Sequence, residues 1–275
     1  MSLKSYIFIK GQSLNKEDSM KIKRLGLFAL IVVTSLIVSK QYVVSVFHNV
    51  AQVETSKKKL PIYCVRTDEK KISLSFDAAW GADDTDSLLS TLEKHNVKAT
   101  FFLVGDWVRK YPEEVKRIAS AGHDIGNHSD KHPHMASMTK EQVKQDVMSA
   151  HGAVKDLLGI DMNLFRPPFG EYNNTVIEAL EECNYYVVQW DVDSLDWKEY
   201  GLEPLINKVV NHKNLGNGSI ILMHNNAKYT KDALDSIIVG LKDQGYELVP
   251  ISEMIIKEDY KIDHTGRQYK ATTQK

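Results

Sequence analysis

The feature that most constrains the fold of this chain is a regular alternation of short β-rich runs with amphipathic helical windows after residue 71. Strands that alternate with helices pair in parallel, because each helix returns the chain to the same edge of the sheet. The alternation predicts an α/β fold, a distorted parallel (β/α) barrel with about seven strands. The expected strands lie at 72–76, 100–104, 124–127, 163–165, 186–190, 219–223 and 246–249.

The clearest helical window spans residues 139–158. Thr139 and Gln142 have the spacing of a capping box, apolar residues recur at helical spacing, and Gly159 ends the pattern. We expect further helices at 84–95, after Asn174, and from Thr230 to Gly245.

The composition is that of an ordinary globular protein, with 43% hydrophobic residues, 26% charged residues and two cysteines. These values exclude a disordered chain, a collagen-like repeat and a disulfide scaffold. Of 35 Lys and Arg and 36 Asp and Glu, residues 1–60 hold 10 and 3, which leaves 25 and 33 for residues 61–275. An acidic body does not attract a polyanion, so we expect no nucleic-acid partner.

An uncharged apolar run occupies residues 25–39, with basic residues just before it. The run is shorter than the roughly 20 residues of a membrane span, but a second apolar run extends it to residue 47. We expect a transmembrane anchor or signal segment at 25–47, and favour an uncleaved single-pass anchor over a cleaved signal peptide. The positive-inside rule then leaves the amino terminus in the cytoplasm and places the rest outside the cell membrane. The expected segments are a basic leader at 1–24, the anchor at 25–47, a tether at 48–70, one domain at 71–256 and a fraying polar tail at 257–275.

Ionisable residues follow the predicted strands. The carboxyl ends of the strands in a parallel barrel open onto one face, so side chains from distant positions are expected to meet there. One polar residue after a strand is common, because loops are polar, so a single one does not indicate a functional site. Several polar residues at corresponding strand ends are harder to explain by chance. These residues are Asp77, His128, His132, Arg166, Asp191, Asp193, Asp196 and His224.

His128 and His132 lie four residues apart, a spacing that lets two imidazoles face one divalent cation such as zinc. Two ligands are too few for a metal site, so a third must come from elsewhere in the chain. A pair of solvated or capping histidines is the alternative interpretation.

The segment RPPFG at 166–170 joins the permanent cation Arg166 to two prolines and a glycine. Proline fixes φ and removes donors, which leaves the amides of Phe169 and Gly170 as preorganised donors for an oxyanion. The arginine can fix a carboxylate through two hydrogen bonds. The alternative is a rigid turn with a surface arginine.

Three aspartates precede Trp197 in the segment 190–197. The face of a tryptophan can stack on a sugar ring. A carboxylate of this loop beside His224 would raise the pKa of that imidazole and make it an acid at neutral pH. Three solvated aspartates are the alternative.

Five segments, taken in order, resemble the five motifs of the polysaccharide deacetylases with the NodB homology domain, carbohydrate esterase family four. They are SFDAAWG at 75–81, HSDKHP at 128–133, RPPFG at 166–170, DVDSLDW at 191–197 and LMH at 222–224. The resemblance covers about residues 71–256. It implies a distorted (β/α) barrel that removes acetyl groups from N-acetylated sugars of peptidoglycan or chitin-like chains, with a divalent metal such as zinc.

The resemblance also implies a role for each matching position. Asp77 matches the catalytic base, and Arg166 matches the residue that steadies it. His128 and His132 match the metal ligands, and His224 matches the general acid, which Asp196 supports. Phe169 contributes an oxyanion-binding amide, and Trp197 and Leu222 line the acetyl and sugar site.

One position departs from the family pattern, because Ala78 stands where the first motif usually has a second aspartate, a metal ligand. This form of the motif resembles that of a sporulation-associated branch. Three outcomes are open. Asp77 stays the base while water or Asp83, Asp84 or Asp130 completes the metal shell; Asp77 becomes a ligand; or the site binds sugar without turnover.

The expected function is therefore that of a membrane-anchored, extracytoplasmic, metal-dependent N-deacetylase of cell-wall polysaccharide that releases acetate. One alternative is a catalytically impaired glycan-binding module with a decayed metal site. Another is an unrelated metal amidohydrolase on a similar barrel, which would need further histidines or a modified lysine at strand ends that the sequence does not offer.

Overall fold

The computed structural model describes residues 16–51 and 58–271. The chain forms two compact units, Met1–Lys57 and Lys58–Lys275. The first unit contains the helix α1 (Lys16–Ala51). In the part of the chain that the structure describes, no helix combines the length and the apolar character needed to cross a membrane. The anchor expected at 25–47 therefore stays a prediction.

Parts of three expected segments lie outside the described residues. These parts are 1–15 of the leader, 52–57 of the tether and 272–275 of the tail.

The second unit is built on a parallel sheet. Its strands are β1 (Cys64–Val65), β2 (Lys71–Ala78), β3 (Thr100–Leu103), β4 (Asp124–Asn127), β5 (Leu164–Phe165), β6 (Tyr186–Val187), β7 (Val192–Asp193), β8 (Ile220–His224), β9 (Glu247–Leu248), β10 (Tyr260–Ile262) and β11 (Arg267–Lys270). The main sheet has the order β6-β5-β4-β3-β2-β8-β7, all neighbours are parallel, and β9 pairs with the start of β2. This confirms the expected parallel α/β barrel of about seven strands, here an open half-barrel.

Helices cover the outer side of this sheet. They are α2 (Thr85–Lys94), α3 (Gly105–Lys110), α4 (Pro112–Ser120), α5 (Lys140–Leu158), α6 (Asn174–Glu182), α7 (Leu202–Val210), α8 (Thr230–Asp243) and α9 (Ile251–Met254). In α5 the Thr139 hydroxyl accepts a hydrogen bond from the Gln142 amide, and the Gln142 side chain accepts one from the Thr139 amide, as the capping box predicts. Gly159 ends the helix at φ 74°, a left-handed conformation that glycine adopts without strain. The pattern did not predict α3, α4 or α7.

The central strand β2 separates two packing layers. Successive side chains of a strand point to opposite faces. Ile72, Leu74 and Phe76 belong to the apolar cluster beneath the helices, which leaves Ser75 and Asp77 on the inner face of the half-barrel. The inner face is therefore polar at the end of the strand, where the ionisable side chains gather.

Residues 62–65, expected to be part of the tether, close the open side of the half-barrel. The Ile62 amide donates to the Val187 carbonyl at 2.8 Å, and the Ile62 carbonyl accepts from the Gln189 amide at 2.7 Å. Farther along, the Val65 amide donates to the Gly218 carbonyl at 2.9 Å. This segment thus ties β6 to the loop before β8.

The expected fraying tail also differs from the structure, because residues 260–270 form the hairpin β10-β11, which pairs with β1. The Gln268 side chain is fully buried. It accepts from the Ile256 amide at 2.9 Å and donates to the Ile256 carbonyl at 2.7 Å. Polar composition predicted a solvated tail, but these two hydrogen bonds satisfy the buried amide.

A Gly218→Ala substitution tests the closure of the half-barrel. A Cβ on Gly218 would lie 1.8 Å from the Val65 carbonyl oxygen, at φ +82°. We expect the free energy of unfolding, measured by urea denaturation, to fall by about 2 kcal/mol or more. The control is Gly152→Ala inside α5, where no atom lies within 4 Å of the new Cβ, and where we expect a gain of roughly 0.5 kcal/mol. Equal effects of the two changes would contradict this account.

Candidate functional site

The candidate site lies at the carboxyl ends of the parallel strands. Asp77 near the end of β2 and His224 at the end of β8 are register partners on adjacent strands. His128 directly follows β4, and Arg166 directly follows β5. Asp196 comes three residues after β7. Residues up to 147 positions apart in the sequence therefore meet at one edge of the sheet.

Arg166 and Asp77 form a buried ion pair. Arg166 is 0% exposed, and its Nη1 donates to Asp77 Oδ1 at 2.8 Å. Its Nη2 donates to Ser75 Oγ at 2.8 Å and to the Gln189 carbonyl at 3.1 Å, and its guanidinium lies 4.2 Å from the ring centre of Phe102. Arg166 is thus held in place and is not the surface arginine of the alternative interpretation.

The ion pair sets the protonation state of Asp77. Burial alone would raise the pKa of Asp77, but the charges of Arg166 and His128 outweigh it and hold that pKa below its ordinary value. Asp77 therefore carries its negative charge at neutral pH, and its side chain lines a cleft open to solvent.

His128 is oriented by a backbone hydrogen bond. Its Nδ1 lies 2.7 Å from the Arg166 carbonyl oxygen. A carbonyl only accepts, so Nδ1 donates, and the lone pair of the neutral ring is on Nε2. This Nε2 lies 3.5 Å from Asp77 Oδ2.

His132 lies beside His128, with the two ring centres 4.9 Å apart. Its backbone adopts φ 56°, and its amide donates to Ser129 Oγ at 2.9 Å. Burial, together with the neighbouring His128, lowers the pKa of His132 to about 4. Burial likewise lowers the pKa of His128, so both imidazoles are neutral at pH 7.

These residues do not make a complete metal site. Two neutral imidazoles are suitable zinc ligands, and an Nδ1 that donates to a carbonyl is the usual way to orient one. However, the described residues include no group of three His, Cys, Asp or Glu that could hold a metal ion. Ala78, where the family pattern has a carboxylate, is fully buried in the apolar cluster.

The aspartates considered as replacement ligands are not brought to the cleft. Asp84 is bound to Lys231 at 2.7 Å, and Asp130 to Arg109 at 2.7 Å. Asp83 is exposed and does not line the cleft. Asp191 also lies outside it, where its carboxylate accepts from the Ile220 amide at 2.9 Å and from a serine hydroxyl at 3.0 Å, and burial raises its pKa to about 6.

His224 and Asp196 form the second charged pair of the site. His224 Nδ1 lies 2.7 Å from Asp196 Oδ1, and the His224 amide donates to Oδ2 at 2.7 Å. The Thr230 hydroxyl and the Trp197 amide also donate to this carboxylate, at 2.8 and 2.9 Å. Burial would lower the pKa of His224, but the hydrogen bond and charge of Asp196 raise it above its ordinary value. Nε2 then carries a proton that can be donated.

Phe169 occupies a turn with φ 59°, a left-handed conformation that is costly for a residue with a side chain. The structure shows no hydrogen bond from its amide to another described residue. The Gly170 amide, in contrast, donates to the Pro167 carbonyl at 3.1 Å. Of the two amides considered as oxyanion donors, only that of Phe169 is available.

A cleft of about 630 Å³ connects these groups. Trp197 and Leu222 line it together with Asp77, His128, His132, Phe169 and His224. The Trp197 side chain is 56% exposed and Leu222 only 3%. The cleft can therefore offer an aromatic face to a sugar ring and an apolar contact to a small group.

Several cleft residues escaped the sequence analysis. The exposed indole of Trp80 is 5.2 Å from the His132 ring, and the motif at 75–81 contained it without suggesting its place. Other polar and aromatic ones lie in loops, where no periodic signal exists: Trp190, Glu199, Asn225, Asn226 and Lys228. Asp193, at the end of β7, lines the cleft, as expected of an ionisable residue at the end of a predicted strand.

Residues 65–188 match the sequence profile of the polysaccharide deacetylase family. The chain is 36% identical over 194 residues to the peptidoglycan-N-acetylglucosamine deacetylase of Bacillus cereus, a match that covers 68% of this chain and 69% of that protein. It is 32% identical over 208 residues to the peptidoglycan-N-acetylmuramic acid deacetylase PdaA of Bacillus subtilis, covering 73% and 77%.

Among solved structures, that of a CE4 family pseudoenzyme from Bacillus anthracis matches with a TM-score of 0.68 and 31% identity, over 72% of this chain and 69% of that one. The matches to curated relatives cover between 40% and 77% of the length of those proteins.

An Asp196→Asn substitution tests the second charged pair. Because the asparagine is neutral, we expect the pKa of His224, followed by NMR titration, to fall below its value in the unchanged protein. The control is Asp235→Asn, which removes a carboxylate bound to His95 at 2.7 Å, and should leave His224 unchanged. An unaltered His224 titration in both variants would contradict the role of Asp196.

The same pair predicts a pH dependence of stability. The raised pKa of His224 adds stability that is fully present below the unfolded-state pKa of about 6.5 and is lost as pH rises through the folded-state pKa. The loss of unfolding free energy in Asp196→Asn should therefore be larger at pH 6 than at pH 9. A larger loss at pH 9 would contradict the assignment.

Proposed function

Because this chain belongs to the polysaccharide deacetylase family, we propose that it removes N-acetyl groups from cell-wall polysaccharide and releases acetate. The observation that carries this proposal is the placement of an ionised carboxylate and a protonated imidazole on register partners of adjacent strands, Asp77 and His224. Each is held by a buried counterion. An amide hydrolase needs both a base for water and an acid for the departing amine.

In the proposed reaction Asp77 accepts a proton from a water molecule in the cleft, and the water oxygen forms a bond to the acetamide carbonyl carbon. Oδ1 of Asp77 is engaged by Arg166, so Oδ2 is the oxygen that faces the water. The lowered pKa of Asp77 makes it a weak base. Asp77 therefore contributes to the rate of the reaction mainly by its position beside the water molecule, and less by its basicity.

The negative charge that develops on the carbonyl oxygen needs a donor. Phe169 lines the cleft, and no hydrogen bond joins its amide to another described residue. Its turn is rigid, because prolines precede it. One such preorganised donor is worth about 3 kcal/mol of transition-state stabilisation.

His224 completes the reaction. As the C–N bond breaks, its Nε2 proton passes to the sugar nitrogen, which leaves as an amine, and the acetyl group leaves as acetic acid, which ionises. Asp196 keeps the imidazole protonated before this step and orients Nε2 toward the cleft. An amine is a poor leaving group, so the acid is indispensable.

No step is assigned to a metal ion, because the described residues offer two imidazoles and no third ligand. If zinc binds, His128 and His132 are the residues that would hold it, and it would supply Lewis-acid activation of the water or the carbonyl. The dependence on zinc expected from the sequence stays a prediction.

A second candidate function is that of a glycan-binding module without turnover. Ala78 removes the carboxylate that the family pattern places beside Asp77, and one solved structure similar to this chain is that of a pseudoenzyme. The exposed indoles of Trp80 and Trp197 would serve such a module equally well.

We further propose that the domain works outside the cell membrane, where cell-wall polysaccharide lies. The support is the uncharged run at 25–39 with basic residues before it. Membrane fractionation, with protease added outside intact cells, tests this placement. Recovery of the chain in the soluble cell interior would contradict it.

A His224→Ala substitution tests the proposed acid. We expect acetate release from N-acetylglucosamine oligomers to fall by about 100-fold or more. The matched control is His95→Ala at the C-terminal end of α2, a histidine that pairs with Asp235 and does not line the cleft, and it should keep the activity. Equal rates in the unchanged protein and His224→Ala would remove His224 from the mechanism. An unchanged protein that binds the oligomers but releases no acetate would favour the second candidate.

Zinc content tests the incomplete ligand set. After equilibration with zinc and desalting, we expect well below one zinc per chain by elemental analysis, because two imidazoles bind it weakly. His132→Ala, which removes one of the two imidazoles that line the cleft, should retain still less zinc, whereas the control His95→Ala should retain as much as the unchanged protein. One tightly held zinc in the unchanged protein would contradict this description of the site.

A further inference from the structure

The cleft carries more negative than positive charge. Four carboxylates line it or pair with groups that line it, against one arginine, one lysine and the protonated imidazole of His224, since the other two imidazoles of the cleft, His128 and His132, are neutral. The excess remains negative even when the imidazole is protonated. The carboxylates are Asp77, Asp193, Asp196 and Glu199, and the opposing groups are Arg166, Lys228 and His224.

The cations already have partners. Arg166 is committed to Asp77 at 2.8 Å. Lys228 Nζ lies 3.4 Å from Glu199 Oε2, and both of these side chains are more than half exposed at the mouth of the cleft. An incoming anion would have to displace Glu199 to reach Lys228.

Asp193 has no such counterion. Its carboxylate accepts a hydrogen bond from the Leu195 amide at 2.9 Å. In residues 58–271, no Lys, Arg or His lies within ion-pair distance of it. Asp193 is the register partner of Leu222, so it lies beside the residue that lines the expected acetyl position.

The other surfaces of the cleft suit an uncharged sugar. The exposed rings of Trp80, Phe169 and Trp197 offer apolar faces, and the exposed Asn226 offers an amide to hydroxyl groups. Lys198 lies outside, over the ring of Trp197 at 5.0 Å. Neutral sugars meet complementary groups here, whereas an anion meets carboxylates.

We propose that this cleft selects its sugar by charge, accepting uncharged N-acetylglucosamine units and disfavouring N-acetylmuramic acid units with a free lactyl carboxylate. Asp193 and Glu199 are the specificity-determining residues. The inference rests on the proposed function, and it distinguishes between the two substrates named for the relatives of this chain.

The physical cause is repulsion between like charges in a partly desolvated site. A lactyl carboxylate that entered the cleft would add a like charge near Asp193, and Lys228, the lysine that lines the cleft, is already paired with Glu199. Such repulsion changes relative affinity by several-fold and weakens as salt is added. Specificity here comes from what the site rejects as well as from what it binds.

The test uses one polymer in two charge states. Peptidoglycan glycan strands without peptides are compared with the same strands after each lactyl carboxylate is converted to a primary amide. We expect the unchanged protein to bind the amidated strands about three to ten times more tightly in calorimetry, with the same preference in kcat/KM for acetate release. The preference should shrink in high salt.

Variants assign the preference to residues. Glu199→Gln frees Lys228 and should reduce the preference for amidated strands toward one, and Asp193→Asn should reduce it too. Lys228→Gln should increase it. Glu203→Gln, an exposed carboxylate on α7 outside the cleft, is the control and should leave the ratio unchanged.

Tighter binding of the free-carboxylate strands, with loss of that binding in Lys228→Gln, would overturn the inference, because Lys228 would then recognise the anion. A ratio of one in the unchanged protein would overturn it as well. The binding ratio decides the inference even if neither polymer releases acetate, a result that would count against the proposed deacetylation alone.

Discussion

The buried ion pair between Arg166 and Asp77 is the interaction on which the rest of the site depends. The guanidinium binds β2 through Asp77 and Ser75 and binds the chain after β6 through the Gln189 carbonyl. The carbonyl of the same arginine orients His128. Removal of either charge would leave the other buried without compensation, at a cost of about 3 to 5 kcal/mol. The ion pair therefore both stabilises the carboxyl ends of the strands and holds Asp77 in its ionised form.

The two charged pairs shift the pKa values of Asp77 and His224 in opposite directions. Arg166 holds the pKa of Asp77 down, whereas Asp196 holds the pKa of His224 up. A carboxylate without a proton and an imidazole with one thus coexist at neutral pH on adjacent strands. Separated acid and base roles are typical of sites that hydrolyse a bond with a poor leaving group. This placement of the ionised Asp77 and the protonated His224 does not depend on a third metal ligand.

Four residues at the carboxyl ends of the strands have strained backbone conformations. Ser129, His132, Phe169 and Leu195 all have φ between 55° and 71°, although none is a glycine. Each such conformation costs of order 1 kcal/mol and persists only where surrounding contacts enforce it. For Ser129 the enforcing contact is a hydrogen bond from its amide to the buried Asn127 side chain, and for His132 it is one from its amide to Ser129 Oγ. Two of these strained residues, His132 and Phe169, line the cleft.

The sequence by itself determined what depends on neighbours along the chain. The capping box at Thr139 and the β-rich run at 72–76 are local, and each predicted its element. Only the tertiary structure decided which charges meet, because the partners Arg166 and Asp77 are 89 residues apart and Coulomb interactions follow distance in space. For the same reason only the tertiary structure showed that Asp84 pairs with Lys231 and Asp130 with Arg109. It also showed that residues 62–65 close the half-barrel and that the tail folds back around Gln268.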